Sequence, residues 1–185
     1  MFTLDNRGSS NRGKDFEQAI HKNLGEVETK DQYKGIEHVK SLKFVDSNRI
    51  GIFGWSYGGF MTINMMQKYP DVFKVGIAGG PVIDWKYYEV MYGERYMQTP
   101  QQNPEGYEKA SLLKNIDKIK GKLLVIHGDA DPVVVWQHSL EFTKKAVDLG
   151  IQTDYFVYPG HQHNVIGKDR VHLNNKMFQY FKENL

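Results

Sequence analysis

Apolar residues gather in this chain as short uninterrupted runs, separated by longer stretches in which they recur every three or four positions. The runs Arg49-Ile50-Gly51-Ile52-Phe53, Lys74 to Ala78, Lys122-Leu123-Leu124-Val125-Ile126 and Asp154-Tyr155-Phe156-Val157 read as strands. A briefer one, Phe2 to Leu4, reads as a strand remnant ending at Asp5-Asn6-Arg7-Gly8. Between them, Phe16 to Leu24 and Asp31 to Leu42 predict helices, the second with Tyr33, Ile36, Val39 and Leu42 at helical spacing. Phe60 to Tyr69 predicts another, stopped by Pro70, and Trp85 to Tyr96 an aromatic-rich one. A polar loop from Gln98 to Glu105 leads to a turn of helix around Leu112, and Val134 to Leu149, with Gly150 as its stop, and Val171 to Phe181 complete the pattern. Strand and helix thus alternate, which predicts an α/β fold: a mostly parallel sheet with helices on both faces.

Composition narrows the class. A chain of 185 residues that is 40% hydrophobic can bury one sizeable core, so one domain spanning 1–185 is expected. A formal net charge of +2 with interspersed signs gives no nucleic-acid footprint. Cysteine is absent, which excludes disulfides and thiol chemistry. No apolar run is long enough to cross a bilayer, and no charged-then-apolar leader opens the sequence.

Chemistry enters at Gly54-Trp55-Ser56-Tyr57-Gly58-Gly59, which follows a strand and opens a helix. That context makes the G-x-S-x-G string a nucleophile elbow rather than a flexible glycine loop. Its serine must sit on a sharp turn with the hydroxyl exposed, and Gly54 and Gly58 are expected to relieve crowding against the adjoining strand and helix. A serine hydroxyl is a poor nucleophile at neutral pH, so a histidine must take its proton and an acid must orient that histidine. In this architecture the order is serine, acid, histidine. The acid candidates are Asp129 and Asp131, on the loop His127-Gly128-Asp129-Ala130-Asp131-Pro132 just past the third strand. Spacing does not choose between them, and either could be a turn or cap residue. The histidine candidates are His161 and His163, in Tyr158-Pro159-Gly160-His161-Gln162-His163-Asn164. His-x-His is also a spacing for two metal ligands, but neither an H-E-x-x-H helix nor a cysteine accompanies it. His21, His38, His138 and His172 fall on predicted helices as surface or packing residues, and His127 is expected beside the acid loop, satisfying a backbone group.

With these residues in place, the sequence resembles the catalytic domain of the prolyl oligopeptidase family of serine peptidases, nearest the dipeptidyl peptidase IV and prolyl tripeptidyl aminopeptidase branch. The resemblance runs from Asp5-Asn6-Arg7-Gly8-Ser9 to the last helix. Its most specific carriers are the elbow's Trp55 and Tyr57, the segment Trp85-Lys86-Tyr87-Tyr88-Glu89-Val90-Met91-Tyr92-Gly93-Glu94-Arg95-Tyr96, and His127-Gly128-Asp129-Ala130-Asp131. It implies an α/β-hydrolase fold, a triad of Ser56, Asp131 and His163, and an oxyanion donor in the Tyr57 backbone N–H. Tyr57, Val82, Trp85, Tyr88, Tyr92 and Val134 match the positions that hold a proline ring, where flat aromatic surface favours a pyrrolidine. Val133 departs from the branch, which has asparagine there. No metal or organic cofactor is implied. The implied partners are peptides with proline near the N-terminus, an N-terminal β-propeller that this sequence lacks, and a second copy in a homodimer; the implied compartment is exported, periplasmic or cell-surface. The family's first strands and a tyrosine that donates to the oxyanion are also missing from the sequence. The expectation is therefore an N-terminally truncated piece with weak or no activity alone, since one lost oxyanion donor lowers turnover on the order of 10²–10³. A small esterase of the same fold would need its own oxyanion loop, for which Gly8 and Gly13 are poor material. A non-catalytic interaction module is the third expectation.

Overall fold

The four central apolar runs become one sheet. In the computed structural model, which describes residues 1–185, β1 (Gly51–Trp55), β2 (Val75–Gly79), β3 (Lys122–Gly128) and β4 (Asp154–Tyr158) lie in the order β1-β2-β3-β4, each pair parallel. Parallel neighbours need crossovers, and helices supply them: α3 (Tyr57–Lys68) joins β1 to β2, and α6 (Gln137–Asp148) joins β3 to β4. The last helix is α7 (Asp169–Asn184).

Register and contact assign the faces. Gly51 pairs with Val75 and faces Phe181 of α7, where an added Cβ would lie 2.6 Å from the ring. One residue on, Gly76 faces Met66 and Thr62 of α3. Successive residues point to opposite faces, so α3 and α7 cover opposite sides. On the α7 side Ile77, Leu124, Ile126, Tyr158, Val165 and Leu173 form a buried cluster flanked by Trp55, Phe156 and Phe181. β2 is buried along its whole length, which explains why it reads as a continuous apolar run rather than an alternating one.

The chain divides into two compact units: Asn48–Asp84 with Leu112–Leu185, which carries the sheet, and Met1–Ser47 with Trp85–Ser111, which is helical. The second contains α1 (Lys14–Gln18), α2 (Val27–Lys40), α4 (Val90–Met97) and α5 (Pro104–Ala110). Most departures from the predicted elements fall here. Phe2 to Leu4 is not a strand: the Leu4 carbonyl accepts from Gln32 Nε2 at 2.9 Å, and the Phe2 and Leu4 side chains lie over Gly35 of α2. α1 ends at Gln18 and leaves His21 in a turn, because Lys22 takes a positive φ of 67°. α2 starts before Asp31, the Glu28 carboxylate accepting the Gly25 N–H at 3.1 Å. The aromatic segment is two elements, a tight turn at Trp85–Tyr87 and then α4. Glu89 divides them, its carboxylate accepting the N–H groups of Met91 at 2.9 Å and Tyr92 at 2.8 Å as an N-cap. The predicted turn around Leu112 is present at Leu112–Lys114, but α5 stands between it and the predicted loop, overlapping the loop's last two residues; Asn103 caps α5 by accepting from Gly106 N–H at 3.2 Å, with Pro104 at its first position. In the sheet unit, α6 begins at Gln137 rather than Val134 and ends before Gly150, whose φ is +69°.

Candidate active site

Loops at the carboxyl ends of three strands carry the candidate residues. Ser56 follows β1 with φ 61° and ψ −117°, a conformation a side chain adopts only under constraint. The constraint is visible: its N–H donates to the Gly79 carbonyl at 2.7 Å, and its own carbonyl accepts Phe60 N–H at 3.0 Å as α3 begins. Gly54 is needed, because a Cβ there would run into the Gly58 carbonyl and lie 2.7 Å from Gly58 Cα. Gly58 differs from expectation. A Cβ on it would meet nothing within 4 Å, so the crowding that both glycines were expected to relieve falls on Gly54.

Asp131 sits one turn past β3 and is only 5% exposed. Its Oδ1 accepts the N–H groups of Val133 at 2.8 Å and Val134 at 3.0 Å, while Oδ2 accepts from His163 Nδ1 at 2.7 Å and lies 3.3 Å from His127 Nε2. This turn also delays α6. Burial pushes the carboxyl upward, but the hydrogen bonds from His127, His163 and the Val133 N–H outweigh it and hold the acid well below the usual carboxylate range. Asp131 is therefore ionised, and His163 carries a proton on Nδ1 to donate to it; in the neutral form of that ring Nε2 is the acceptor.

The structure separates the candidates that spacing left open. His163 reaches Asp131, whereas His161 Nε2 lies 3.0 Å from Asp169 Oδ2 on α7. The two imidazoles of the His-x-His pair thus serve different carboxylates. Asp129 instead accepts the Gly160 N–H at 2.6 Å, clipping the acid loop to the histidine loop. Trp55, the residue before the serine, lies across Gly79, and its Nε1–H donates to the His163 carbonyl at 2.8 Å. Sequence reasoning missed both clips. Their only sequence signs were a tryptophan beside the serine and a second carboxylate before the acid. His127 was expected to satisfy a backbone group, and its Nε2 does lie 2.8 Å from the Val134 carbonyl, but the same nitrogen faces Asp131. His138 is fully buried, its Nδ1 accepting the Ile83 N–H at 3.0 Å, while His38 and His172 are exposed.

Of the residues matched to a proline-binding pocket, the Tyr57 ring packs on Phe60 at 5.5 Å, and Val82 and Val134 are buried. In the helical unit Trp85 stacks on Tyr92 at 5.7 Å, and Tyr88 meets both edge-on at 5.5 Å. Burial, with Tyr96 and Tyr88 as further contributors, pushes the Tyr92 hydroxyl up to about 12, so it stays a neutral donor. No helix is long and apolar enough to cross a membrane.

Comparison with known proteins places this geometry among relatives. The model of the prolyl oligopeptidase family matches residues 1–185. Dipeptidyl peptidase 8 of Mus musculus is 36% identical over 190 residues, covering 100% of this chain and 21% of its own length. The chain thus spans about a fifth of such a curated relative. The crystal structure of Porphyromonas gingivalis dipeptidyl peptidase 4 superposes with a TM-score of 0.94 at 36% identity, over 98% of this chain and 26% of that one. A Bacteroides ovatus protein, provisionally assigned as a dipeptidyl aminopeptidase IV, gives a TM-score of 0.96 at 58% identity over the same shares. The parallel sheet and its helices are those of an α/β-hydrolase fold.

Proposed function

The chain belongs to the prolyl oligopeptidase family, and we propose that it carries the acyl-transfer site of a serine exopeptidase that cleaves after proline near the N-terminus of peptides. The observation that carries the reading is the 2.7 Å contact between His163 Nδ1 and the Asp131 carboxylate, on a scaffold that also holds Ser56 in an elbow conformation. In this reading His163 Nε2 takes the Ser56 proton as Oγ attacks the prolyl carbonyl. Asp131 holds the tautomer and stabilises the imidazolium that forms. The Tyr57 N–H, at the first position of α3, donates to the oxyanion. His163 then protonates the leaving amine, and water, deprotonated by the same nitrogen, releases the acyl group. The names of the relatives favour dipeptide release.

The test is hydrolysis of Gly-Pro and Ala-Ala-Pro chromogenic amides by the full-length protein and its Ser56→Ala variant, with circular dichroism on both. Turnover that disappears with Ser56 is expected, and the preferred amide reads the release length. A folded protein whose cleavage survives Ser56→Ala refutes the mechanism.

A further inference from the structure

Behind the acid lies a buried side-chain network with no part in the mechanism above. His127 and Ser139 are both fully buried. The Nε2 of His127 faces two acceptors, the Val134 carbonyl at 2.8 Å and Asp131 Oδ2 at 3.3 Å. Neither can donate, so the ring's proton lies on Nε2. Its Nδ1 is 2.6 Å from Ser139 Oγ on α6, and in the Nε2–H tautomer it accepts from that hydroxyl. Tyr155 stands next, its hydroxyl interacting with Ser139 and receiving the Trp136 indole N–H. β3, the acid loop, α6 and β4 are thereby tied to one carboxylate oxygen.

That oxygen is the one His163 uses. Asp131 Oδ1 is fixed by two backbone N–H groups, while Oδ2 is shared between two imidazoles. We propose that His127 is a positioning residue for Asp131: its Nε2–H, held in that tautomer by Ser139, keeps Oδ2 aimed at His163 through the change of the His163 ring from neutral to charged. The assignment rests on the acyl-transfer reading of the site. Being fully buried, His127 touches no substrate, so its contribution belongs in the chemical step rather than in binding.

Two measurements on the full-length protein test this. Imidazole ¹⁵N NMR of the unaltered protein reads the His127 tautomer without requiring any variant to fold, and the proton is expected on Nε2. A proton on Nδ1 overturns the proposal. Steady-state kinetics then compare His127→Phe, which removes the donor, with His127→Gln, whose Nε2 carries N–H at a similar reach. His127→Phe is expected to lower kcat on the order of 10- to 100-fold, the worth of one buried hydrogen bond to a charge, with KM within about twofold. His127→Gln is expected to keep most of the turnover. A folded His127→Phe with unchanged kcat, or a folded His127→Gln as impaired as His127→Phe, overturns the positioning role. Turnover that ignores Ser56→Ala sinks the acyl-transfer reading instead, while Ser56-dependent turnover that ignores His127→Phe sinks only the present proposal.

Discussion

Alanine at Gly54 and alanine at Gly58 are expected to move stability in opposite directions, although the G-x-S-x-G pattern treats the two glycines alike. At Gly54 the new methyl would lie 2.7 Å from Gly58 Cα and closer still to the Gly58 carbonyl. Even the farthest of these is about 1 Å short of the optimal carbon–carbon separation. All three atoms are backbone, so no side chain can swing away, and the turn from β1 into α3 must open. Overpacking of this kind costs about 1–3 kcal/mol or more, which for a chain of this length is a fall in Tm of roughly 3–10 °C. A shift of the serine by about 1 Å also lowers turnover by roughly 100-fold. Gly58 is helical, without a positive φ, and an added Cβ there meets nothing within 4 Å. Removing its conformational freedom should therefore stabilise by about 0.4–1 kcal/mol, or raise Tm by roughly 1–4 °C. Thermal denaturation of both variants by circular dichroism decides the matter. Equal losses of Tm, or a Gly54→Ala protein as stable as the parent, would refute the crowding argument.

Other consequences follow from single contacts. The Asp131 carboxyl is held below its ordinary value, so its contribution to stability is fully present above the unfolded pKa of about 3.9 and is lost as pH falls through the folded one. Asp131→Asn should flatten the decline of urea stability below about pH 4; an unchanged slope would show that other carboxylates set it. Trp55→Phe removes the donor to the His163 carbonyl and is expected to lower kcat about tenfold, the worth of one part-buried hydrogen bond. Unchanged kinetics would mean that the histidine loop is held without Trp55. Asn103→Ala deletes a cap on α5 and two donations, to the Lys22 carbonyl at 2.9 Å and the Met97 carbonyl at 3.0 Å. Urea melts should show a loss of about 1–3 kcal/mol, and a loss below about 0.5 kcal/mol would contradict that accounting.

The sheet was readable because its strands are short continuous apolar runs; β3 and β4 extend the predicted runs by one or two residues, while β1 and β2 begin and end one or two residues later than predicted. What the sequence hid was hydrogen bonding between side chain and backbone. Phe2 and Leu4 look like a strand because alternate apolar residues serve equally well to cover Gly35 of α2. The aromatic segment looks like one helix because Glu89 is a good helix former, and nothing local reveals that its carboxylate turns back to cap Met91 and Tyr92. α5 presents a polar sequence, and its existence depends on Asn103 and Pro104 acting together. In the site, Ser56 and the order of the elements were legible from the elbow. The choices between Asp129 and Asp131, and between His161 and His163, were not, since each pair differs by two residues on one loop. Only the family resemblance ranked them, and in the structure each of the four has a different partner. His127 was legible as a neighbour of the acid loop but not as a partner of Asp131, because its contacts reach across a loop to Val134 and to Ser139 of α6.

The most direct test of the central claim is covalent. The full-length protein and its His163→Ala variant would be treated with a serine-directed phosphonate carrying a prolyl group, and the adduct mapped by peptide mass spectrometry. A single adduct at Ser56 is expected, forming in the parent and not in folded His163→Ala. An adduct on another residue, or labelling of Ser56 that proceeds equally without His163, would contradict that claim.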